Sequence, residues 1–485
     1  MTSTDSVTPE GGRLAAEPAT SPVTVESQRR GSRWIADWEP EDPEFWESTG
    51  RRIARRNLYH SVVAEHFGFA VWSLWSVLVL FMTAENGFSV TPDDKFLLVS
   101  MVTLVGAVLR LPYSFAVARF GGRNWTVFSA LSLLVPTVAA ALMVRNPDAP
   151  LWAFTLVAVL AGIGGGNFAS SMTNINQFFP EREKGWALGL NAGAGNLGVA
   201  VVQLVGLLVI AVAGTAYPEI VPVIFLPFVL LAGFLAWRYM DNLVAARTNY
   251  SSYRAVLRDR HCWLISFLYI GTFGSFIGFG FAFGLVLQND FGRTPLQAAS
   301  LTFLGPLLGS FSRPLGGSLA DRFGGARVTL WTFVAMVAGT GVVLAASFVD
   351  SLPVFIAGFI VVFVLTGIGN GSTYKMIPGI YAARAESAIG AGADPAAARA
   401  EGRRRSGAVI GIAGAVGALG GMLINLTFRE SYNQFGDATG AIAAFLVYYV
   451  ACIVVTSVVY LRRPSSGTAG GSAVPAQAPA AHEVV

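Results

Sequence analysis

The chain has 485 residues, of which 53% are hydrophobic and only 13% are charged. A soluble domain usually carries about 25% charged residues, so this composition excludes a large water-exposed surface and, with it, an ordinary soluble enzyme. The net charge of +4 decides little by itself, because the placement of the basic residues along the chain matters more.

Apolar blocks separated by short polar stretches follow one another along the chain, and each is long enough to cross a bilayer as a helix. Together they predict an all-α polytopic membrane protein with 12 transmembrane helices in two pseudo-symmetric six-helix bundles. The first six spans are expected near 65–86, 95–117, 124–144, 151–176, 185–212 and 218–239. The second six are expected near 262–287, 296–319, 327–349, 352–376, 405–428 and 439–461.

This pattern divides the chain into five parts. They are a partly disordered cytoplasmic N-terminal segment at 1–60, a bundle at 61–239, a polar and basic cytoplasmic linker at 240–261, a second bundle at 262–461 and a disordered cytoplasmic tail at 462–485. Within the first part, the aromatic segment 37–46 is expected to lie on the membrane surface. Within the second bundle, the Ala/Gly-rich and basic stretch 381–404 is expected to be a long loop.

Lysine and arginine fall mainly on one side of the predicted spans, including the N-terminal segment, the 240–261 linker and Arg403, Arg404 and Arg405. The side that is rich in these residues faces the cytoplasm, so an inner-membrane protein with both termini in the cytoplasm is predicted. Cys262 and Cys452 are far apart and give neither a metal-ligand spacing nor a disulfide framework. No metal and no cofactor are therefore expected.

The two halves repeat each other. Arg110 precedes Phe120-Gly121-Gly122 by ten residues, and Arg313 precedes Phe323-Gly324-Gly325 by the same spacing. Glycine-rich stretches recur in the fourth and tenth spans and in the fifth and eleventh spans. A duplicated six-span unit with its site between the halves is the plan of a transporter.

Several segments carry a resemblance to a known family. The loop 321–327 resembles the cytoplasmic signature of the major facilitator superfamily, although the first-half copy at 118–123 lacks the acidic residue. The stretches 164–172, 189–198 and 367–373 resemble the signatures of the NarK-type nitrate/nitrite porters, as do 40–46 and 54–58. The resemblance covers residues 37–461 and implies a major facilitator fold, a monomer, and transport of nitrate and nitrite.

The residues themselves also point to an anion. Arg110, Arg313 and Lys375 are the only side chains with a formal charge that are predicted well inside spans, and no Asp or Glu is expected in the middle of one. Ten helical residues rise about 15 Å, half of a roughly 30 Å hydrocarbon core, so both arginines are predicted near the midplane. Arginine stays protonated, and two facing guanidinium groups suit a planar anion such as nitrate. Pairing of each arginine with backbone carbonyls or a helix end is the structural alternative.

Other residues are assigned from the resemblance or with an alternative left open. The resemblance gives Arg110 and Arg313 their substrate-binding role and adds Phe168, Asn196, Tyr269, Phe273 and Asn370 beside the substrate. Lys375 lies near the cytoplasmic end of its span, where a snorkelling position is favoured over a gate or a coupling charge. Glycines that serve helix packing and conformational change are expected at Gly164, Gly166, Gly189, Gly193, Gly369, Gly371, Gly407 and Gly411.

These features favour a secondary active transporter, and not an enzyme, that works by alternating access. Two unpaired midplane arginines are costly to enclose without an anion, so exchange of nitrate for nitrite is the preferred mechanism. Nitrate–proton symport is the alternative, and a phosphate or organophosphate exchanger is a further one. A passive anion channel is disfavoured by the duplicated halves. The expected partners are nitrate, nitrite and the lipid bilayer, without nucleic acid.

Overall fold

The computed structural model describes residues 33–244 and 250–461, which are almost entirely helical. The first half contains six helices: α1 (Pro43–Phe81), α2 (Pro92–Phe120), α3 (Gly122–Met143), α4 (Leu151–Phe178), α5 (Glu181–Ala213) and α6 (Ile220–Tyr239). The predicted disordered ends at 1–30 and 464–485, the remainder of the 462–485 tail, and Arg247 in the linker lie outside the described residues.

The second half begins after a short helix, α7 (Tyr250–Leu257), in the predicted linker. It contains α8 (Arg260–Asn289), α9 (Pro295–Thr302), α10 (Leu304–Phe323), α11 (Gly325–Phe348), α12 (Leu352–Gly390), α13 (Pro395–Phe435) and α14 (Thr439–Leu461). Two short strands, β1 (Trp34–Ile35) and β2 (Asn242–Leu243), pair in parallel.

Eleven helical segments in the described part of the chain are long and apolar enough to cross a membrane. The remaining predicted span, near 296–319, is divided at Phe303 into α9 and α10. This segment is less apolar because it carries Arg313 and several Ser, Thr and Gly residues. Its arginine and part of its length line the cavity described below.

Contacts between the halves follow the predicted repeat. Helix α2 packs along α13, and α5 packs along α10. In each pair, the second helical segment of one half meets the fifth helical segment of the other. The two interfaces are therefore related by the duplication, and they enclose the central part of the molecule.

The repeat extends to the backbone at two glycines. Helix α2 ends before Gly121, whose φ is 86°, and α10 ends before Gly324, whose φ is 88°. Residues other than glycine rarely adopt such positive angles. Both glycines allow the chain to turn directly into the next helix, α3 or α11, at corresponding positions of the two halves.

The segment before the first predicted span differs from the prediction. Helix α1 begins at Pro43, and Trp46 is fully buried against a cluster that includes Phe178 and Phe179. These aromatic side chains find apolar partners at the end of the first bundle, and the expected position of 37–46 on the membrane surface stays a prediction. Trp38 packs edge-on against Phe178 with ring centroids 5.3 Å apart.

The predicted loop at 381–404 is also wrong. Helix α12 continues to Gly390 and α13 starts at Pro395, so only four residues separate them. Alanine-rich sequence favours helix, and the Asp394 side chain accepts a hydrogen bond from the Ala397 amide to cap α13. An ion pair between Arg399 and Glu386, 2.9 Å long, joins the two helical extensions.

Candidate anion-binding site

Arg110 lies in the middle of α2 and is completely buried. Its Nη1 donates to the carbonyl of Gly414 at 2.8 Å, and its Nε donates to the carbonyl of Gly165 at 3.3 Å. Its Nη2 has no hydrogen-bond partner within the described residues. The carbonyls fix the guanidinium group from α4 and α13, and one donor stays available to a ligand.

Arg313 lies on α10 and is 6% exposed. Its Nη2 donates to the Tyr269 hydroxyl at 3.2 Å. Its Nη1 has no partner in the part of the chain that the structure describes. Each arginine thus keeps one unpaired guanidinium nitrogen, and the two side chains come from opposite halves of the duplicated fold.

Two aromatic rings lie beside both guanidinium groups. The Phe168 centroid is 4.5 Å from Cζ of Arg110 and 5.9 Å from Cζ of Arg313. The corresponding distances from the Phe273 centroid are 4.9 Å and 6.0 Å. Tyr269 stacks on Phe273 with centroids 5.2 Å apart. The structure therefore brings these five predicted residues together in one buried site.

The predicted amides stand on neighbouring helices. Asn196 on α5 and Asn370 on α12 are both 1% exposed. Neither side-chain amide forms a hydrogen bond among the described residues, and the same holds for Asn167 and the Tyr374 hydroxyl. Buried polar groups normally have partners. Of these unpaired groups, Tyr374 lies beside Arg313 and lines both cavities, and a planar oxyanion fits the guanidinium geometry of the two arginines.

A cavity of about 1530 Å³ connects this region with one end of the molecule. Arg313 and Tyr374 line its inner part, and a smaller adjoining cavity of about 250 Å³ is lined by Arg110 and Phe168. At the mouth, basic side chains outnumber acidic ones: the cavity is lined there by Arg182, Lys184, Lys375, Arg399, Arg403 and Arg404 and by Glu41, Glu181, Asp321 and Glu386. An anion entering from this end meets a mouth with an excess of basic side chains and then Arg313 in the inner part.

The other end of the molecule is closed by aromatic contacts between the halves. Phe96 on α2 stacks on Phe428 and Tyr432 of α13, with centroids 5.5 Å and 5.2 Å away. The hydrophobic core that includes Phe96 and Phe428 extends through this end. The conformation is therefore open toward the basic end and closed toward the opposite end.

One buried carboxylate contradicts the expectation that no Asp or Glu lies inside a span. Glu65 on α1 is 1% exposed. Its Oε2 accepts hydrogen bonds from Asn191 Nδ2 at 2.6 Å and from the Ser171 hydroxyl. The predicted first span begins at 65, which places Glu65 at the membrane surface. Because α1 in fact continues upstream, Glu65 is enclosed by α4 and α5.

Sequence reasoning also missed Trp72 and Tyr374, which contact the arginines. Cζ of Arg110 lies 5.6 Å from the Trp72 ring, and Cζ of Arg313 lies 5.7 Å from the Tyr374 ring. The only sequence signal for Glu65 was the apolar run 62–64 before it, which indicates that the helix begins earlier. Trp72 and Tyr374 carry no comparable signal in a chain rich in aromatic residues.

The predicted conformational glycines divide into two groups. A Cβ added at Gly166 would lie 2.8 Å from the Tyr113 ring, and one at Gly371 would lie 2.6 Å from the Gly317 amide nitrogen. Such close approaches between helices require glycine, and Gly164 and Gly369 have similar surroundings. By contrast, a Cβ at Gly189, Gly193 or Gly407 would meet nothing within 4 Å, and these three residues line the cavity together with Gly411.

Lys375 lies at the mouth of the cavity. Its Nζ donates to both carboxylate oxygens of Asp321, at 2.7 Å and 3.0 Å. The lysine and aspartate side chains are 40% and 61% exposed. Asp321 belongs to the loop signature of the second half, so the pair joins α10 to α12 and stays accessible to water.

No group of three or more His, Cys, Asp or Glu side chains is placed to hold a metal ion in residues 33–244 and 250–461. Cys262 and Cys452 are both buried and unbonded to each other.

Comparisons with known proteins show the family of this chain. The chain matches the family model of the Major Facilitator Superfamily over residues 66–425. The "Nitrate/nitrite transporter NarU" of Escherichia coli (strain K12) is 38% identical over 463 residues, which cover 92% of this chain and 100% of that protein. The "Probable nitrate/nitrite antiporter NarK2" of Thermus thermophilus is 34% identical, with 86% and 94% of the two chains covered.

A solved structure shows the same fold. The crystal structure of the human organic anion transporter MFSD10 (TETRAN) superposes with a TM-score of 0.57, covering 83% of this chain and 99% of that one at 15% sequence identity. The helix order, the duplicated halves and these matches identify a multi-pass membrane transporter and not an enzyme. The chain belongs to the major facilitator superfamily and, within it, to the NarK-type family of nitrate/nitrite porters.

Proposed function

We propose that this protein carries nitrate and nitrite across the membrane by alternating access and binds one anion at a time between Arg110 and Arg313. The observation that carries the proposal is the pair of buried guanidinium groups, one from each half. Each has an unpaired nitrogen, and both lie against the rings of Phe168 and Phe273. The transport activities named for the similar proteins from Escherichia coli and Thermus thermophilus support the choice of anion.

The substrate residues divide into three roles. Arg110 and Arg313 supply charge and directed hydrogen bonds to the anion oxygens. Phe168 and Phe273 form apolar walls that exclude water from a weakly hydrated planar ion, and Tyr269 positions Arg313. The amides of Asn196 and Asn370 donate further hydrogen bonds as the halves close around the anion.

Exchange of one anion for the other is the transport mode that the arginine pair supports. Enclosing two positive side chains away from water is costly unless a negative charge accompanies them. A bound nitrate or nitrite offsets part of that cost, so the loaded carrier changes conformation more easily than the empty one. Nitrate entering and nitrite leaving would each provide this compensation.

The same proposal includes location and assembly. The mouth of the cavity lies on the side that is rich in lysine and arginine, which is expected to face the cytoplasm. The protein would then lie in the inner membrane with both termini in the cytoplasm, and the conformation described above would be inward-open. It would work as a monomer, with the bundles 61–239 and 262–461 moving about the central site.

Reconstitution of the full chain in liposomes tests this function. We expect labelled nitrate to enter rapidly when nitrite is inside, and phosphate outside not to compete. Arg110→Lys should lose most of this exchange although it keeps the positive charge, because an ammonium group lacks the planar fork of donors. Absence of nitrate exchange by the wild-type protein, or equal competition by phosphate, would refute the assignment.

A further inference from the structure

Glu65 occupies a polar pocket that is separate from the anion cavity. Its carboxylate receives hydrogen bonds from Ser171 on α4 and Asn191 on α5, and the Ser171 hydroxyl lies 3.1 Å from that of Ser61. Its Oε1 has no hydrogen-bond partner, and no lysine, arginine or histidine forms an ion pair with Glu65 among the described residues. Burying an unpaired charge is costly, so the ionised carboxylate of Glu65 is expected to bind a ligand that neutralises its charge.

The charged groups that act on Glu65 are those of the anion site. Arg313 and Arg110 are its attractive charged neighbours, and Tyr374 also interacts with it electrostatically. On its own helix, His66 points elsewhere, with Nδ1 3.1 Å from the carbonyl of Ala194. Among the described residues, the other helices that pack on α1 place no titratable side chain in closer contact with Glu65 than these groups.

Helices α3 and α6 illustrate this last point. Both pack on α1, yet the titratable ring that α6 brings to α1, Tyr239, stacks on His60 at 4.9 Å and not on Glu65. The field at Glu65 is therefore set mainly by the two arginines, and any anion bound between them changes it directly.

The surrounding helices connect the carboxylate to the cavity mechanically as well. A Cβ at Gly195 would lie 2.7 Å from Cδ of Glu65, so α5 approaches the carboxylate through a glycine. The same helix presents Gly193 to the cavity and carries Asn196. On α4, Phe168 lies one turn before Ser171. Both helices that hold Glu65 therefore also contribute residues to the anion site.

We propose that Glu65 is a proton-binding site coupled to the anion site, so that the carrier can move one proton together with one anion. The inference rests on the proposed anion transport. With Glu65 ionised, one of the two arginine charges is balanced. When an anion binds between the arginines, it weakens the positive potential that favours the ionised form of Glu65, and binding of a proton from solution to the carboxylate becomes more favourable. By linkage, the proton strengthens anion binding to the same degree.

This pairing changes which steps the carrier can perform. The proton adds to the carboxylate and leaves it again on the other side, without any covalent change. The carrier with ionised Glu65 and no anion has the same net charge at the site as the carrier with both anion and proton. Its return is therefore less costly than that of an uncompensated arginine pair, and net uptake without exchange becomes available. Because one proton accompanies one monovalent anion, the transported pair is neutral.

The first test uses liposomes with the full chain, no internal nitrite or nitrate, and a membrane potential clamped by potassium and valinomycin. An imposed pH difference, acidic outside, should drive accumulation of labelled nitrate, and a pyranine signal should report acidification of the interior. In Glu65→Gln, gradient-driven accumulation relative to nitrate/nitrite exchange should fall at least about tenfold. His66→Asn is the matched control on the neighbouring residue and should keep the coupling.

A binding measurement separates this role from a structural one. In lightly buffered detergent solution, addition of sodium nitrate to the wild-type protein should cause uptake of protons, and Glu65→Gln should abolish that uptake while nitrate still raises Tm. Ser171→Ala keeps the glutamate but removes a donor to its ionised form, so the pH at half-maximal proton uptake should move upward. This variant decides the question if Glu65→Gln does not fold.

The outcomes are distinct. If the wild-type protein exchanges nitrate for nitrite but shows neither nitrate-dependent proton uptake nor gradient-driven accumulation, the inference about Glu65 is wrong and the proposed function stands. If His66→Asn and not Glu65→Gln loses the coupling, the proton site is misassigned. If the wild-type protein transports no nitrate under any of these conditions, the proposed function itself fails.

Discussion

Arg110 and Arg313 come from opposite halves of the chain, yet their guanidinium carbons lie 4.5 Å and 5.9 Å from the centroid of the same Phe168 ring. The ring lies on α4 and lines the smaller cavity together with Arg110, whereas Arg313 lines the larger cavity. A small anion that contacts both guanidinium groups would therefore rest against an apolar surface. This arrangement makes the guanidinium shape, and not only its charge, important for binding.

Replacing either arginine by lysine is expected to weaken nitrate transport strongly. A hydrogen bond to a charged group contributes about 1.5–3 kcal/mol, so loss of one directed contact corresponds to roughly a 10- to 100-fold fall in kcat/KM for Arg110→Lys and Arg313→Lys. Exchange in liposomes and the nitrate-induced shift in Tm measure the effect. Arg322→Lys, in the exposed last turn of α10, is the control and should behave like wild type. Equal activity of all three variants would contradict the site.

Gly193 and Gly195 on α5 should respond differently to replacement by alanine. Gly195→Ala would place a methyl group 2.7 Å from Cδ of Glu65, whereas Gly193→Ala would meet nothing within 4 Å. Overpacking typically costs about 1–3 kcal/mol, so Tm should fall for Gly195→Ala only. Gly193→Ala should fold normally but slow nitrate exchange, because the cavity wall at that position must approach the other half on closure. Unimpaired exchange by Gly193→Ala would limit that glycine to a static role.

The aromatic closure at the end opposite the cavity mouth should hold the conformation that is open toward the mouth. Phe96→Ala removes the stacking on Phe428 and Tyr432, worth about 1 kcal/mol for each pair, and should shift the population toward opening at that end. Spin labels at the exposed residues Glu85 and Gln434, in a background without Cys262 and Cys452, would report this as longer distances by electron–electron double resonance.

Phe348→Ala is the matched control for that experiment, since Phe348 is a phenylalanine that is largely exposed. Its distance distribution should equal that of the parent. An unchanged distribution in Phe96→Ala would show that the stacked rings do not determine which side is closed.

A buried ion pair at the other end should matter for stability. Asp241 is completely buried and accepts hydrogen bonds from Arg56 at 2.5 Å and Asn57 at 3.1 Å. Arg56 is 31% exposed and would stay solvated without its partner, so the loss is that of hydrogen bonds to a charged group, about 1.5–3 kcal/mol, and Asp241→Ala should lower Tm clearly in detergent. The exposed Glu386–Arg399 pair provides the control, because Glu386→Ala removes an interaction worth at most about 1 kcal/mol. Similar Tm values for both variants would contradict this difference.

The helical class, the duplication and the arginine pair followed from the sequence because each rests on a pattern that physics makes strong. Long apolar blocks indicate membrane spans. Each arginine precedes a Phe-Gly-Gly turn by the same number of residues, and this equal spacing predicts that the two arginines lie at the same depth. The same patterns say nothing about side-chain partners. That Arg110 is held by the Gly414 carbonyl of the second half depends on the packing of α2 along α13, which local sequence does not encode.

Helix ends were the weakest part of the prediction, and they had consequences for chemistry. Hydropathy indicates a membrane helix only as far as its apolar residues extend. The helix itself can continue into polar sequence if tertiary contacts bury its side chains or cap its end. Trp46 is buried by Phe179, so α1 starts far outside the apolar block. The apparent edge of the block fell on Glu65, which concealed the carboxylate that lies beside the transport site.

The two arginines are held with unequal stiffness. Arg110 is fixed by two backbone carbonyls on separate helices, whereas among the described residues the Arg313 side chain has one hydrogen bond, to the hydroxyl of Tyr269. The Arg110 side of the site is therefore rigid, and the Arg313 side is adjustable. Nitrate and nitrite differ by one oxygen atom, and the adjustable side can follow that difference in width while the rigid side keeps the anion at a constant depth.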